Sequence, residues 1–141
     1  MMRDWIFVPV IIQVFLTLFV YLRLMQVKKR AANEGRVDRV RIALRDDAWP
    51  DYVIQVNNNI RNQFELPVLF YAVTAFALIL RAVDLTMVAL AWSFVASRIL
   101  HAAIHVGPNK VRWRGPSFVL GFLIVTAMWV KLFLHVAMHS T

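Results

Sequence analysis

The sequence contains no cysteine among its 141 residues, so it can form neither a disulfide framework nor a protein thiolate. Any thiol chemistry must therefore use a thiol that a ligand brings. Acidic residues are scarce as well, with eight Asp and Glu against sixteen Lys and Arg. The sequence also has no glycine-rich phosphate loop, nucleophile elbow or zinc signature. Chemistry in this chain has to come from arginines, amides and one well-placed carboxylate, Glu65.

The chain is 60% hydrophobic, which is more apolar sequence than a soluble domain of this size needs. Four apolar runs, at 5–25, 64–80, 85–104 and 118–136, approach or reach the roughly 20 residues that cross a bilayer. The second run is short, and a polar helical lead-in from Asp51 extends it. We predict a single all-α domain over 1–141, an integral membrane four-helix bundle. Its helices are expected at about 5–26, 51–81, 84–105 and 115–138.

Most of the net charge of +8 lies in two loops, 27–50 and 106–114. The basic residues there are Lys28, Lys29, Arg30, Arg36, Arg39, Arg41, Arg45, Lys110, Arg112 and Arg114. By the positive-inside rule, both loops are expected in the cytoplasm and both termini on the opposite side. Topology and anionic headgroups account for the charge, so we expect membrane lipids as partners and no nucleic acid.

The second predicted helix begins with a polar face. Asn58, Arg61, Asn62 and Glu65 follow the i, i+3, i+4, i+7 spacing that places side chains on one side of a helix. Ionisable groups within a membrane span usually face a bundle interior or a watery cavity and suggest a functional site. Pro67 removes a backbone donor and is expected to kink this helix beside Glu65.

The third predicted helix has a similar face, formed by Arg98, His101 and His105. Arg98 lies within an apolar span and needs a partner, so we predict an ion pair of Glu65 with either Arg98 or Arg61. A blander interpretation is that this polar cluster only fixes how the helices pack. His101–His105 and His135–His139 have the spacing of metal ligands, but without a third ligand nearby we predict no metal site.

Arginines suit a ligand with carboxylates, Glu65 can hold an ammonium group, and a further arginine can favour a thiolate over a thiol. Glutathione has all of these groups, although the residue types alone do not single it out. Four features together resemble the MAPEG family, the membrane-associated proteins in eicosanoid and glutathione metabolism, over nearly the whole chain. They are Lys28-Lys29-Arg30 after helix one, Asn62 and Glu65 followed by Pro67, the segment Ala96-Ser97-Arg98-Ile99-Leu100-His101, and arginines before helix four.

The resemblance implies a homotrimer with glutathione, as co-substrate, bound between adjacent subunits near the cytoplasmic face. It places Arg30, Asn62 and Glu65 among the glutathione contacts. The neighbouring polar positions Asn58, Arg61, Arg98, His101 and His105 complete the candidate binding set. In the family a thiolate-stabilising arginine lies just before helix four. Counting from helix three without gaps places it at Arg112, and Arg114 is the alternative position.

We therefore predict a membrane-embedded glutathione-dependent transferase or peroxidase that acts on lipophilic electrophiles or lipid hydroperoxides. One alternative is a non-catalytic helical membrane protein, structural or accessory, that uses the polar cluster for assembly. Another is a small transporter or channel lined by Arg61, Glu65 and Arg98. The transporter is disfavoured because these polar groups lie near one end of the spans and leave the other half apolar.

Overall fold

A computed structural model describes residues 2–38 and 40–139, with only the backbone for Met2, Arg3 and His139. Arg39 of the basic loop and the side chain of His139 therefore lie outside the described part of the chain. The α-helices are α1 (Phe7–Asn33), α2 (Asp51–Gln63), α3 (Leu66–Ile79), α4 (Leu85–Val106) and α5 (Val111–His139). Short 3₁₀ turns occur at Met2–Ile6, Arg41–Ala43 and Asp46–Ala48.

Four helical segments are long and apolar enough to cross a membrane: Asp4–Asn33, Asp51–Ile79, Leu85–Val106 and Val111–Met138. This confirms the predicted all-α membrane four-helix bundle, and the described residues include no strand. Two helix ends differ from the expected ones. The first helix continues through Lys28-Lys29-Arg30 to Asn33, and α5 begins at Val111, so Arg112 and Arg114 lie in its first turns.

The second span is broken at the point where a kink was expected. Helix α2 ends at Gln63, Phe64 and Glu65 are not helical, and α3 begins at Leu66. Pro67 sits in the first turn of α3, where its missing N–H has no helical partner to lose and its fixed φ is favourable. The break therefore releases backbone carbonyl groups at the end of α2, beside the predicted polar face.

The apolar side chains form two clusters. One joins α3, α4 and α5 and includes the stacked rings of Phe70 and Phe94, whose centroids are 4.5 Å apart. The other joins α1, α2 and α4 around Val20 and Val53. Helix α4 contributes to both clusters, so it is the element that positions residues on the neighbouring helices.

A buried chain of amides also ties α1 to α2. Gln13 Nε2 donates to Gln63 Oε1 at 3.0 Å, and Gln63 Nε2 donates to Asn59 Oδ1 at 3.1 Å. All three side chains are buried. Side-chain amides act in this way between membrane helices, where unsatisfied polar groups are costly.

Candidate polar site at one end of the bundle

Arg98 on α4 is fully buried, with 0% of its surface exposed. Its Nη2 donates to the backbone carbonyl of Asn62 at 3.2 Å, and its guanidinium lies 5.7 Å from the ring centroid of Phe118. Because α2 ends at Gln63, that carbonyl is free to accept. The Nε and Nη1 atoms of Arg98 have no hydrogen-bond partner among the described residues. The guanidinium thus joins α4 to the helix break and keeps unused donors.

The predicted ion pair of Glu65 with Arg98 or Arg61 is wrong. Arg61 pairs with Asp46. Glu65 is exposed and has no ion pair within the described residues. The physical reason is the helix break, since Glu65 lies after the end of α2 and does not continue the face of Asn58 and Asn62.

His101 connects three helices. Its Nε2 lies 3.1 Å from Asn62 Nδ2 on α2, and its Nδ1 lies 3.1 Å from Ser117 Oγ on α5. The same Nδ1 is 3.3 Å from the backbone oxygen of Arg114. Ser117 Oγ itself donates to that oxygen at 2.8 Å. His101 and Asn62, which the sequence placed on different helices, are therefore brought together.

His105 lies next to His101 on α4, with ring centroids 5.5 Å apart in a stacked arrangement. Its Nδ1 is buried and has no hydrogen-bond partner in the described part of the chain. Gln55 Nε2 donates to the backbone oxygens of His105 and Gly107, at 2.8 and 3.0 Å, and so caps the end of α4. Within residues 2–38 and 40–139, no three His, Asp or Glu side chains converge as metal ligands do.

The two candidate arginines before helix four have different surroundings. Arg114 is half-buried, its Nη1 donates to Asn109 Oδ1 at 2.8 Å, and its backbone oxygen belongs to the His101 contacts. Arg112 is exposed and packs over the Trp113 ring at 5.5 Å. Only Arg114 is joined to the polar cluster of α2 and α4 within one described chain.

The remaining candidates lie on the surface of the chain. Asn58 is exposed and has no hydrogen-bond partner within the described residues. Arg30 donates from Nε to Glu34 at 2.7 Å and lies over the Tyr52 ring at 5.4 Å. The hydrogen bond from Arg30 lowers the pKa of the Glu34 carboxyl below its ordinary value. Tyr52 also donates to Glu34, at 3.1 Å, so the Arg30 charge is partly engaged at the surface.

The sequence reasoning missed three polar contributors to the site: Gln55, Asn109 and Ser117. Ser117 follows Arg114 by three residues, which is one helical turn, so its contact with the Arg114 carbonyl depends on α5 starting before Pro116. Because the predicted helix began at about residue 115, that contact was not visible in the sequence.

An apolar cavity of about 390 Å³ opens between α1 and α4, on a different face of α4 from His101. Its lining is apolar except for Arg23. On the α4 side the cavity is lined by Ile99, Ala102, Ala103 and Val106, followed by Gly107 after the helix end. The small residues among them leave room between the helices.

Four spans and a cationic polar cluster at one end of the bundle define an integral multi-pass membrane protein with a candidate site for a polar ligand. The chain belongs to the MAPEG family, whose model matches residues 6–134. Proteins of this family generally use glutathione, and membership supports a glutathione-related transferase or related function in general. No curated protein and no solved structure matches the chain.

Proposed function

We propose that the protein is a membrane-embedded glutathione-dependent transferase or peroxidase that acts on lipophilic electrophiles or lipid hydroperoxides. The observation that carries this proposal is the buried Arg98, whose Nε and Nη1 atoms have no hydrogen-bond partner and which forms no ion pair with a carboxylate among the described residues. Burying a guanidinium without a counter-charge is costly, and a site of this kind is suited to an anion. The family adds the expectation that the anion is glutathione.

In this proposal Arg114 stabilises the glutathione thiolate, because it is half-buried and belongs to the His101 hydrogen-bond cluster. Arg112 remains the rival, since an exposed arginine of one subunit can enter a site shared with another. A cation beside a sulfur favours its deprotonated, nucleophilic form. In the transferase reaction the thiolate sulfur then bonds to the electrophilic carbon of the co-substrate and displaces its leaving group as an anion. In the peroxidase reaction it attacks the hydroperoxide O–O bond, which breaks to release the alcohol and leaves a sulfenic acid of glutathione. A second glutathione converts this to the disulfide and water.

The other candidate residues fall into an inner and an outer group. Arg98, His101, His105 and Asn62 form the inner wall of the site. Arg30, Asn58, Arg61 and Glu65 lie on the outer surface of the chain. We propose that the outer group is completed by a neighbouring copy, in which case the glutathione site lies between subunits.

The exposed Glu65 supports this assembly. It lies within the second membrane span, and a carboxylate facing hydrocarbon is costly. A second copy of the chain over this face removes that exposure, and the family pattern favours a homotrimer. We further propose that the basic loops face the cytoplasm, with both termini opposite, and that the lipophilic substrate reaches the site from the bilayer.

The test is glutathione binding to the detergent-solubilised protein by calorimetry, combined with the ultraviolet absorbance of the bound thiolate near neutral pH. Saturable binding with a thiolate signal is expected. Arg114→Ala should abolish that signal, whereas Lys110→Ala, which removes an exposed charge nearby, should not. Loss of the signal in Arg112→Ala instead would reassign the thiolate arginine.

Absence of binding at millimolar glutathione would overturn the proposal. It would then favour the non-catalytic alternative, in which Glu65→Ala disrupts assembly while Arg112→Ala and Arg114→Ala leave the protein's role intact.

A further inference from the structure

The hydrogen bonds of His101 fix its protonated nitrogen. Nδ1 faces the backbone oxygen of Arg114, and a carbonyl oxygen can only accept. The single Ser117 hydroxyl proton is directed to the same carbonyl, so Ser117 Oγ also acts as an acceptor towards His101. Two acceptors therefore surround Nδ1, and the proton must lie on Nδ1.

The opposite ring nitrogen follows from this. A neutral imidazole protonated at Nδ1 has only a lone pair at Nε2, which must receive a hydrogen bond. A doubly protonated ring would place a second buried cation one turn from the Arg98 guanidinium, and no described carboxylate forms an ion pair with either group. Nε2 therefore accepts from the Asn62 amide N–H₂ group, 3.1 Å away.

The chain of contacts also orients Asn62. With its amide nitrogen directed to His101, its Oδ1 is left without a hydrogen bond in the described part of the chain, on a half-buried side chain beside Glu65. Which way an amide points is usually an assignment between two similar atoms. Here the Arg114 carbonyl fixes the proton on His101 Nδ1, and this in turn fixes the orientation of the Asn62 amide.

We propose that Ser117 and His101 are positioning residues, which present Asn62 Oδ1 as the acceptor for an N–H donor of the bound ligand. The same contacts hold the backbone at Arg114 in place. For the ligand's identity the inference rests on the proposed function, in which the donor is the ammonium group of glutathione. Neither residue needs to touch the ligand to exert this effect.

The first experiment needs no ligand. Nuclear magnetic resonance of the detergent-solubilised protein labelled at histidine with ¹⁵N and ¹³C, with His101 assigned by its absence in His101→Gln, reports the tautomer directly. We expect an Nδ1–H tautomer with a bare Nε2 from about pH 6.5 to 8.5. An Nε2–H tautomer or an imidazolium ring in that range overturns the inference.

The second experiment compares glutathione with its glutaryl analogue, which lacks only the ammonium group. In His101→Leu we expect glutathione affinity to fall about tenfold, the effect of losing one hydrogen bond to a charged group, with affinity for the analogue unchanged. In Ser117→Ala we also expect a lower affinity for glutathione and an unchanged affinity for the analogue. His101→Gln, a neutral side chain with both a donor and an acceptor, should restore most of the difference.

Ser93→Ala is the matched control, because Ser93 also bonds a carbonyl of its own helix but is exposed and away from the site. Equal loss of affinity for both ligands in His101→Leu would indicate a merely structural role and overturn the positioning inference. If the unaltered protein binds no glutathione, the proposed function fails and the ligand part of this inference fails with it. The tautomer measurement still decides the hydrogen-bond chain in that case.

Discussion

At the scale of single residues, the buried Arg98 guanidinium donates to a backbone carbonyl at the break between α2 and α3. The sequence predicts that Arg98, a charge inside an apolar span, needs a partner. The structure supplies a backbone carbonyl, that of Asn62, where a carboxylate was expected. Such a partner could not be read from the sequence, because the carbonyl becomes available only where α2 stops. The link between Ser117 and His101 was hidden for a similar reason, since it depends on where α5 starts.

Arg98 provides a test at this scale. Replacing an incompletely paired buried charge by an apolar side chain of similar size is often neutral or stabilising, so Arg98→Met should leave thermal stability unchanged or raised. Arg98→Lys keeps the charge but loses the planar guanidinium fork, and it should cost about 2 kcal/mol. Thermal unfolding in detergent measures both. Glutathione affinity should fall in both variants, and a strongly destabilised Arg98→Met would contradict this account.

At the scale of elements, apolar run length was sufficient to find the four spans, and helix ends were less predictable. The ends of α1 and α5 shifted by several residues because polar and basic residues remain helical when they extend out of a hydrocarbon layer. The predicted kink beside Pro67 lies where the structure interrupts the second span, but the interruption is a complete break of the helix. A full break was not distinguishable in the sequence from a bend, since both follow from one missing donor.

Two glycines of α5 test how closely it packs on α4. A Cβ atom at Gly121 would lie 3.0 Å from Ser97 Oγ and 3.5 Å from Arg98 Cδ, whereas nothing lies within 4 Å of one at Gly115. Overpacking of this kind typically costs about 1–3 kcal/mol. We expect Gly121→Leu to lower the unfolding temperature and Gly115→Leu to be tolerated. Equal stability of the two variants, measured by thermal unfolding in detergent, would contradict close packing at Gly121.

Asp84 offers a pH-dependent test at the start of α4. Its Oδ1 accepts from the Met87 N–H at 2.8 Å, and Lys131 donates to its Oδ2 at 2.7 Å. The hydrogen bond from Lys131, and then the cap, lower the pKa of Asp84 below its ordinary value. A carboxyl whose pKa is lower in the folded state than in the unfolded state stabilises the fold at any pH above its unfolded-state pKa. This stabilisation is lost as the pH falls through the folded-state pKa. We therefore expect the stabilisation from Asp84 to be lost below about pH 4.

Asp84→Ala should cost about 1 kcal/mol at neutral pH, the usual effect of losing an N-cap. Asp84→Asn keeps a capping oxygen and should cost less, because the ion pair with Lys131 that it removes is partly exposed and therefore contributes little. The unfolding temperatures of both variants and of the unaltered protein are measured at pH 7 and at pH 3.5. The difference between Asp84→Ala and the unaltered protein should shrink at the lower pH, and a difference that grows on acidification would contradict the assignment.

At the scale of the whole molecule, the fold class and the family could be predicted from the sequence, because apolar run lengths and a few spaced polar residues are local properties. The division of the site into a buried and an exposed half could not. It depends on how α2, α4 and α5 pack, which no single run of residues encodes. The exposed half, with Asn58 and Glu65, is the feature that leads us to propose more than one copy of the chain.

Assembly can be tested by measuring the protein mass in detergent with light scattering, corrected for bound detergent. We expect the mass of three copies of the 16.3 kDa chain. Arg114→Ala should have the same mass, because the proposed role of Arg114 is chemical. A monomeric mass for the unaltered protein would leave Glu65 facing lipid and overturn the proposal that a neighbouring copy completes the site.

The break between α2 and α3 also has a consequence for how the chain enters the membrane during synthesis. Helix α3 has 14 residues, a length of about 21 Å, which is shorter than the roughly 30 Å hydrocarbon layer. The polar residues of α2 make it a poor insertion signal on their own. Helix α4 follows after the short turn Leu80–Asp84 and is long enough to span. We therefore expect the α3–α4 hairpin to enter the membrane as one unit, and α2 to pack afterwards against helices that are already inserted.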